Sequence, residues 1–279
     1  GHGRAENDEL HREGHGGGAG MKRYAPDKND FFKGIVQSEN REYDVKMPIF
    51  YYDSMAMSAI CTASTRQVRK LLPLPDMHPV EAFPGRCLVA FSAFEYRRTD
   101  IGPYNEFSVS ALISYGRRPV PGVAPLLSVL KNRFTAYIIH LPVTSERARR
   151  GGVETCGYPK FLADITFTQE GGNTACTVAE NGERILTLRG RNPRTSRGRV
   201  TKYIIHTVLG GIPLRANLYL NPIRYRQTIG LGAARLDIGN GHRICGELKG
   251  MGLSGMPVLY QYTPSYEAIL CNSRNLMDD

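Results

Sequence analysis

The sequence has no pair of cysteines close enough to form a typical zinc or redox motif. Its six cysteines lie at positions 61, 87, 156, 176, 245 and 271, and no CxxC pair occurs. A thiolate metal site is therefore not expected, and a chain of 279 residues does not need disulfides to hold a core. No secretory signal is recognised, so we expect a reducing, cytoplasmic setting.

Other absences narrow the class of function. No apolar run approaches the roughly 20 residues of a membrane-spanning helix, so we expect no membrane partner. Neither a Walker loop nor a strand–GxGxxG–helix pattern is present, so we expect no nucleotide. The formal charge is +10, and the densest basic stretch covers residues 184–202. No RNP, KH or zinc-finger pattern accompanies it, so a solvated loop or an anion-attracting rim is favoured over nucleic-acid binding.

The turn signals predict one β-rich domain. Residues 1–20 are rich in Gly and His and resemble an expression tag. Residues 21–45 are polar and predict an N-terminal extension over the surface, and residues 46–279 predict the single domain. Many short strands and only two or three short helices predict a β-dominated α+β fold with an antiparallel β-barrel. The long amphipathic helices that a doubly wound α/β fold requires are missing.

One lysine directly follows a proline in the segment ETCGYPKFLAD, residues 154–164. Pro159 fixes its own φ and stiffens the backbone before Lys160. Apolar neighbours on both sides would remove water from the ammonium, which favours the neutral, nucleophilic amine. A surface lysine in a turn is the alternative interpretation.

This segment resembles the lysine motif of the acetoacetate decarboxylase family, in which the lysine after the proline forms a Schiff base with a keto acid. Further segments resemble the family in the same order, namely residues 66–75, 102–106, 242–253 and 257–262. The likeness covers roughly residues 46–271. It implies an antiparallel barrel that encloses a pocket, a small-molecule carbonyl substrate, a homo-oligomer, and no metal or organic cofactor.

The resemblance implies two catalytic residues. Lys160 would be the nucleophile. Glu106 matches the family glutamate through the spacing of Gly102, Tyr104 and Glu106, and it would move protons to the carbinolamine or the enamine. A strand glutamate paired with an arginine is the alternative for Glu106.

Three positions depart from the decarboxylases. Phe161 replaces the second lysine of the family motif, Ser54 the substrate arginine, and Ser92 a further glutamate. This uncharged set indicates a less polar or larger substrate. The departures argue against decarboxylation more than against Schiff-base formation, because the nucleophile itself is retained.

Four more residues are candidates for contact with the substrate. Tyr104 and Tyr158 could direct a hydroxyl at an iminium or a carboxylate. His140 lies on an apolar strand that leads toward the lysine motif, although a core histidine is the simpler interpretation. Glu267 lies on the final strand, where alternation allows either face.

The sequence thus predicts a cofactor-free lyase that forms a Schiff base through Lys160, of aldolase, dehydratase or decarboxylase type, in a biosynthetic pathway. The alternative is a non-covalent cyclase, isomerase or ligand-binding member of the same fold, in which Lys160 only pairs with a carboxylate.

Overall fold

The computed structural model of the chain describes residues 23–24, 30–40 and 45–278. The tag-like segment, residues 1–20, lies outside the described residues, as do parts of the predicted extension. The four helices of the described chain are short: α1 (Thr65–Arg69), α2 (Val123–Lys131), α3 (Glu146–Cys156) and α4 (Arg243–Gly250).

Strands account for most of the described chain. They are β1 (Arg23–Tyr24), β2 (Gln37–Asn40), β3 (Val45–Met47), β4 (Ile49–Ser64), β5 (Met77–Pro79), β6 (Glu81–Phe83), β7 (Arg86–Thr99), β8 (Tyr104–Tyr115), β9 (Arg133–Val143), β10 (Lys160–Leu162), β11 (Asp164–Glu170), β12 (Asn173–Glu180), β13 (Glu183–Arg191), β14 (Thr201–Leu209), β15 (Ile212–Ile229), β16 (Ala234–Ile238), β17 (Leu259–Leu270) and β18 (Arg274–Asn275).

Seven of these strands close into a barrel, in the order β9–β14–β15–β17–β4–β7–β8 and back to β9. The predicted β-barrel is confirmed. The ring is mixed, however, because β14 pairs with β9 in parallel. Parallel neighbours require a long crossover connection, and residues 144–200 form that crossover between the two strands.

The crossover contains most of a second, four-stranded antiparallel sheet, in the order β11–β12–β13–β16. Its tight hairpin at Asn181 and Gly182 has positive φ at both residues, which matches the twist of the flanking strands. One face of this sheet and α4 pack on the outside of the barrel. That outer core joins Phe91 and Val109 of the barrel to Leu188 of the second sheet.

The barrel interior is a separate core built from almost every barrel strand. Its buried members include Tyr51 of β4, Tyr96 of β7, Tyr104 of β8, Val143 of β9 and Tyr266 of β17. Five strands can direct side chains to one cluster only if the sheet is closed, because successive residues of a strand alternate between its faces. The interior is therefore rich in phenol rings.

Residues 31–35 lie against the outer wall of the barrel. Phe31 and Phe32 are buried there in a third cluster with Phe50, Tyr219 and Ile269. This part of the predicted extension is anchored by aromatic side chains as well as covering the surface. The described residues contain no helix that is both long and apolar enough to cross a membrane.

Candidate active site

Helix α3 leads directly into the lysine motif. The side chain of Ser145 accepts a hydrogen bond from the backbone N of Ala148 and caps the helix. The helix ends at Gly157, whose φ of 62° is left-handed. A Cβ atom at Gly157 would lie 2.8 Å from the carbonyl oxygen of Val208. Glycine is therefore needed here for both backbone conformation and close packing.

A three-residue turn then presents the lysine. The backbone N of Lys160 donates to the carbonyl oxygen of Tyr158 at 2.7 Å, which is the i to i+2 pattern of a γ-turn centred on Pro159. Strand β10 pairs in parallel with β9, so that Lys160 lies opposite Leu141. The turn and the strand together fix the lysine backbone on the barrel wall.

The amine of Lys160 meets a carboxylate. Its Nζ atom lies 2.9 Å from Oε2 of Glu106, and the two side chains are only 7% and 10% exposed. The hydroxyl of Tyr96 donates to the other carboxylate oxygen at 3.2 Å. The structure thus brings together the two residues predicted to be catalytic. The carboxylate thus gives the buried amine a partner of opposite charge.

Helix α3 packs directly on the lysine stem. A Cβ atom at Gly152 would lie 2.7 Å from Cε of Lys160, closer than real Cβ atoms approach, and 3.2 Å from Nζ. A larger residue here would force the end of the lysine side chain to shift. Gly152 is thus a positioning residue that the lysine motif alone did not predict.

Five tyrosines surround the pair: Tyr51, Tyr96, Tyr104, Tyr158 and Tyr266. Burial raises the pKa of each of these tyrosines, and the negative charge of Glu106 adds to the effect. They therefore remain neutral hydrogen-bond donors. The lysine Nζ lies 5.8 Å and 5.7 Å from the ring centres of Tyr104 and Tyr158.

Two of these tyrosines were predicted to contact substrate, and three were missed. Tyr104 shares a strand face with Glu106, and Tyr158 is buried with a hydroxyl that has no hydrogen-bond partner in the described chain. Tyr96 could have been found from the sequence, because it is opposite Tyr104 in the hairpin of β7 and β8. Tyr51 and Tyr266 lie on strands that are far apart in the sequence, so no local sequence pattern predicts that they meet at this site.

A row of uncharged polar side chains lies deeper in the barrel. Four directly opposed residues on neighbouring strands form it, namely Ser108, Ser92, Ser58 and Gln261. The hydroxyl of Ser58 donates to that of Ser92 at 2.8 Å. Ser108 follows Glu106 by two residues on the same face of β8, a rise of about 7 Å. Ser92, predicted to contact substrate, therefore faces the barrel interior on the same side of the sheet as Glu106.

Ser54 occupies a different level of the barrel. It is fully buried and is paired with Tyr96 on one side and Tyr266 on the other. It thus belongs to the tyrosine layer beside the lysine–glutamate pair.

Two predicted contacts are corrected by strand geometry. Phe161 follows Lys160 in β10, so its ring points the other way and packs against the outer core. His140 contacts Glu247 of α4 through its Nε2 atom. Because α4 covers the outside of the barrel, His140 does not face the lysine.

The prediction for Glu267 is corrected for the same reason. Tyr266 faces the barrel interior, and the next residue in a strand faces the opposite side. There, Nδ2 of Asn221 donates to the Glu267 carboxylate at 2.9 Å.

Fold and site together define a closed β-barrel that buries one lysine–glutamate pair among neutral phenols. In the described part of the chain, no group of three or more His, Cys, Asp or Glu side chains is placed to hold a metal ion. The sequence model of the acetoacetate decarboxylase family matches residues 37–208, and the chain belongs to this family. Membership supports an enzyme. A search of curated proteins gives no match.

Solved structures share the fold at low sequence identity. An acetoacetate decarboxylase is 15% identical, with a TM-score of 0.60 over 82% of this chain and 89% of that one. The enduracididine biosynthesis enzyme MppR, complexed with pyruvate, is 14% identical, with a TM-score of 0.58 over 92% and 98%. MppR with the condensation product of pyruvate and imidazole 4-carboxaldehyde gives 0.55 over 93% and 98%, also at 14% identity.

Proposed function

We propose that the chain is a cofactor-free lyase that forms a Schiff base between Lys160 and a keto acid or another carbonyl substrate. The observation that carries this proposal is the contact of 2.9 Å between the Lys160 amine and the Glu106 carboxylate, closed inside the barrel. A buried amine beside a proton acceptor is the arrangement that amine nucleophiles require.

The proton balance of the first step needs only this pair. Glu106 takes a proton from the ammonium, and the amine nitrogen forms a bond to the carbonyl carbon while the C=O π electrons move to oxygen. Glu106 then returns a proton to that oxygen and accepts one from nitrogen. The hydroxyl leaves as water with the proton from Glu106, and the nitrogen lone pair completes the iminium. The iminium can withdraw electrons from the neighbouring carbon, which allows aldol, dehydration or decarboxylation chemistry.

The surroundings of the pair favour an aldol or dehydration reaction over decarboxylation. The hydroxyls of Ser108 and Ser92 can hydrogen-bond an extended substrate, whereas the described contacts of Lys160 include no arginine that could hold a substrate carboxylate for decarboxylation. The unpaired hydroxyl of Tyr158 is a further donor for a substrate oxygen. The condensation product bound by MppR supports the same reaction class within this fold.

The same contact is also compatible with the non-covalent alternative. If the carboxylate at 2.9 Å keeps Lys160 as an ammonium ion, the lysine is not a nucleophile and binds a substrate by charge and hydrogen bonds. A cyclase, isomerase or ligand-binding protein would use the lysine in this way.

Reductive trapping separates the two functions. Pyruvate, acetoacetate and acetylacetone are each incubated with the protein and borohydride, and the modified lysine is located by peptide mass spectrometry. The lyase predicts a reduced adduct on Lys160 with at least one compound, and much slower formation in Glu106→Gln. Lys202, also buried at 5% exposure, is an internal control that should remain unmodified.

Matched variants complete the experiment. Lys160→Arg keeps the positive charge and should form no adduct. Lys249→Arg, at an exposed position of α4, should still form the adduct on Lys160. A protein that gives no adduct with any of the three compounds, or adducts scattered over several lysines, is not a Schiff-base enzyme of this kind.

A further inference from the structure

A cleft lies on the outer wall of the barrel. Its volume is about 360 Å³, and it is formed where α2 crosses the ends of β8, β9, β14 and β15. Apolar residues make up much of its lining, including Leu112, Ile113, Ala124 and Ile204. A volume of this size suits a small organic molecule.

His206 supplies an unusual polar group to this cleft. The residue is 3% exposed, and its Nδ1 atom has no hydrogen-bond partner in the described chain. Its ring stacks on that of Tyr115, with centres 4.9 Å apart and planes 9° from parallel. Buried polar atoms without partners are rare in folded proteins and call for an explanation.

Arg215 lies directly opposite His206 in the pairing of β14 with β15. Its Nε atom is also buried without a partner in the described chain. None of the described residues that line the cleft is acidic. Burial, aided by the charge of Arg215, lowers the pKa of His206 to about 4, so the imidazole is neutral near pH 7. The described lining therefore combines one arginine with an apolar floor, and two unpartnered nitrogen atoms are buried in the cleft wall.

We propose that this cleft binds a small organic monocarboxylate, with its carboxylate on Arg215 and His206 and its apolar body against β8 and α2. The carboxylate oxygens would accept hydrogen bonds from the Arg215 guanidinium, whose Nε has no acceptor in the described chain. Because both groups are charged, these hydrogen bonds would be charge-assisted. The apolar walls then select for a short alkyl or aryl group.

This site is distinct from the lysine site. His206 and Ile205 are adjacent in β14 and face opposite sides, and Ile205 packs with Tyr158 on the side of Lys160. Ligand binding in the cleft therefore does not depend on the proposed Schiff-base chemistry, and either proposal can fail alone.

The test is calorimetric titration with benzoate, with the neutral isostere benzamide as the matched control ligand. Benzoate should bind saturably to the wild type and equally to Lys160→Ala, which excludes the lysine site. Arg215→Gln should weaken binding by roughly tenfold or more, because it removes a charged hydrogen bond. Arg224→Gln, an exposed arginine on the same strand, should leave it unchanged.

A second variant keeps the test decisive if Arg215→Gln does not fold. Ser128→Phe on α2 places a ring in the cleft without altering the barrel strands, and it should also abolish benzoate binding. The proposal is overturned by equal binding of benzoate and benzamide, or by absence of benzoate binding at millimolar concentration. It is also overturned if binding disappears in Lys160→Ala and persists in Arg215→Gln.

Discussion

Removing one member of the lysine–glutamate pair should destabilise the fold far more than removing both. At 2.9 Å, two unit charges attract by about 6 kcal/mol at an effective dielectric constant of 20, before any desolvation cost. Lys160→Met leaves the Glu106 carboxylate buried and uncompensated, which typically costs about 3–5 kcal/mol. Glu106→Gln leaves the ammonium in the same situation.

The double variant Lys160→Met/Glu106→Gln contains neither charge, so its loss should be much smaller than the sum of the two single losses. We expect a coupling free energy of at least about 2 kcal/mol. Urea unfolding followed by circular dichroism measures all four proteins, and it avoids dependence on tryptophan, which the chain lacks. Lys249→Met is the surface control, and it should change the free energy of unfolding by less than about 0.5 kcal/mol.

Additive losses would refute this reasoning. If the double variant loses the sum of the two single effects within about 0.5 kcal/mol, the amine and the carboxylate do not interact in solution. The geometry that supports proton exchange between them would then be wrong.

Three further predictions test other parts of the structure. Gly152→Ala should slow adduct formation by about 100-fold by displacing the Lys160 amine. Gly151→Ala, whose Cβ would meet Val45 at an ordinary contact distance of 3.7 Å, should not slow it, and equal rates in the two variants would contradict the packing. The free energy of unfolding should fall as the pH drops from 6.5 toward 4, because the unfolded chain protonates His206 before the native chain does. This loss should reach up to about 3 kcal/mol. Urea unfolding of His206→Phe should show no such pH-dependent loss from this residue. His140→Gln should leave the rate of reductive trapping within about twofold of the wild type, since the His140 side chain faces α4. A large decrease in that rate would mean that His140 takes part in the lysine site.

The barrel was predictable because its signals are local. Hairpin turns such as Asn181-Gly182 and the alternation of polar and apolar residues are read within a few positions of the chain. The parallel pairing of β9 with β14 was not predictable in this way. The pairing depends on which strand lies beside β14 after a crossover of more than fifty residues, and no short sequence pattern predicts that neighbour.

The residues of the candidate site likewise separate into those that a local motif predicts and those that it does not. Lys160, Glu106 and Tyr104 are carried by short motifs, and the structure brings them together. Phe161 and Glu267 were misplaced, because each is adjacent to a residue that faces the site. In a strand such a neighbour points the opposite way. A prediction of strand faces would have excluded both, once the inward residue of each strand was known.

The outward direction of Phe161 also changes the meaning of the missing second lysine. Any side chain at this position enters the outer core, so a charge there would be separated from the Lys160 amine by the barrel wall. The proposed reaction therefore depends on groups that face inward: the carboxylate of Glu106 and the ring of tyrosines. In the proposed reaction, the glutamate would compensate the buried ammonium before a substrate binds, and transfer of one proton within the pair would release the neutral amine. The proposed reaction would thus use the contact that also stabilises the buried pair, without a second lysine.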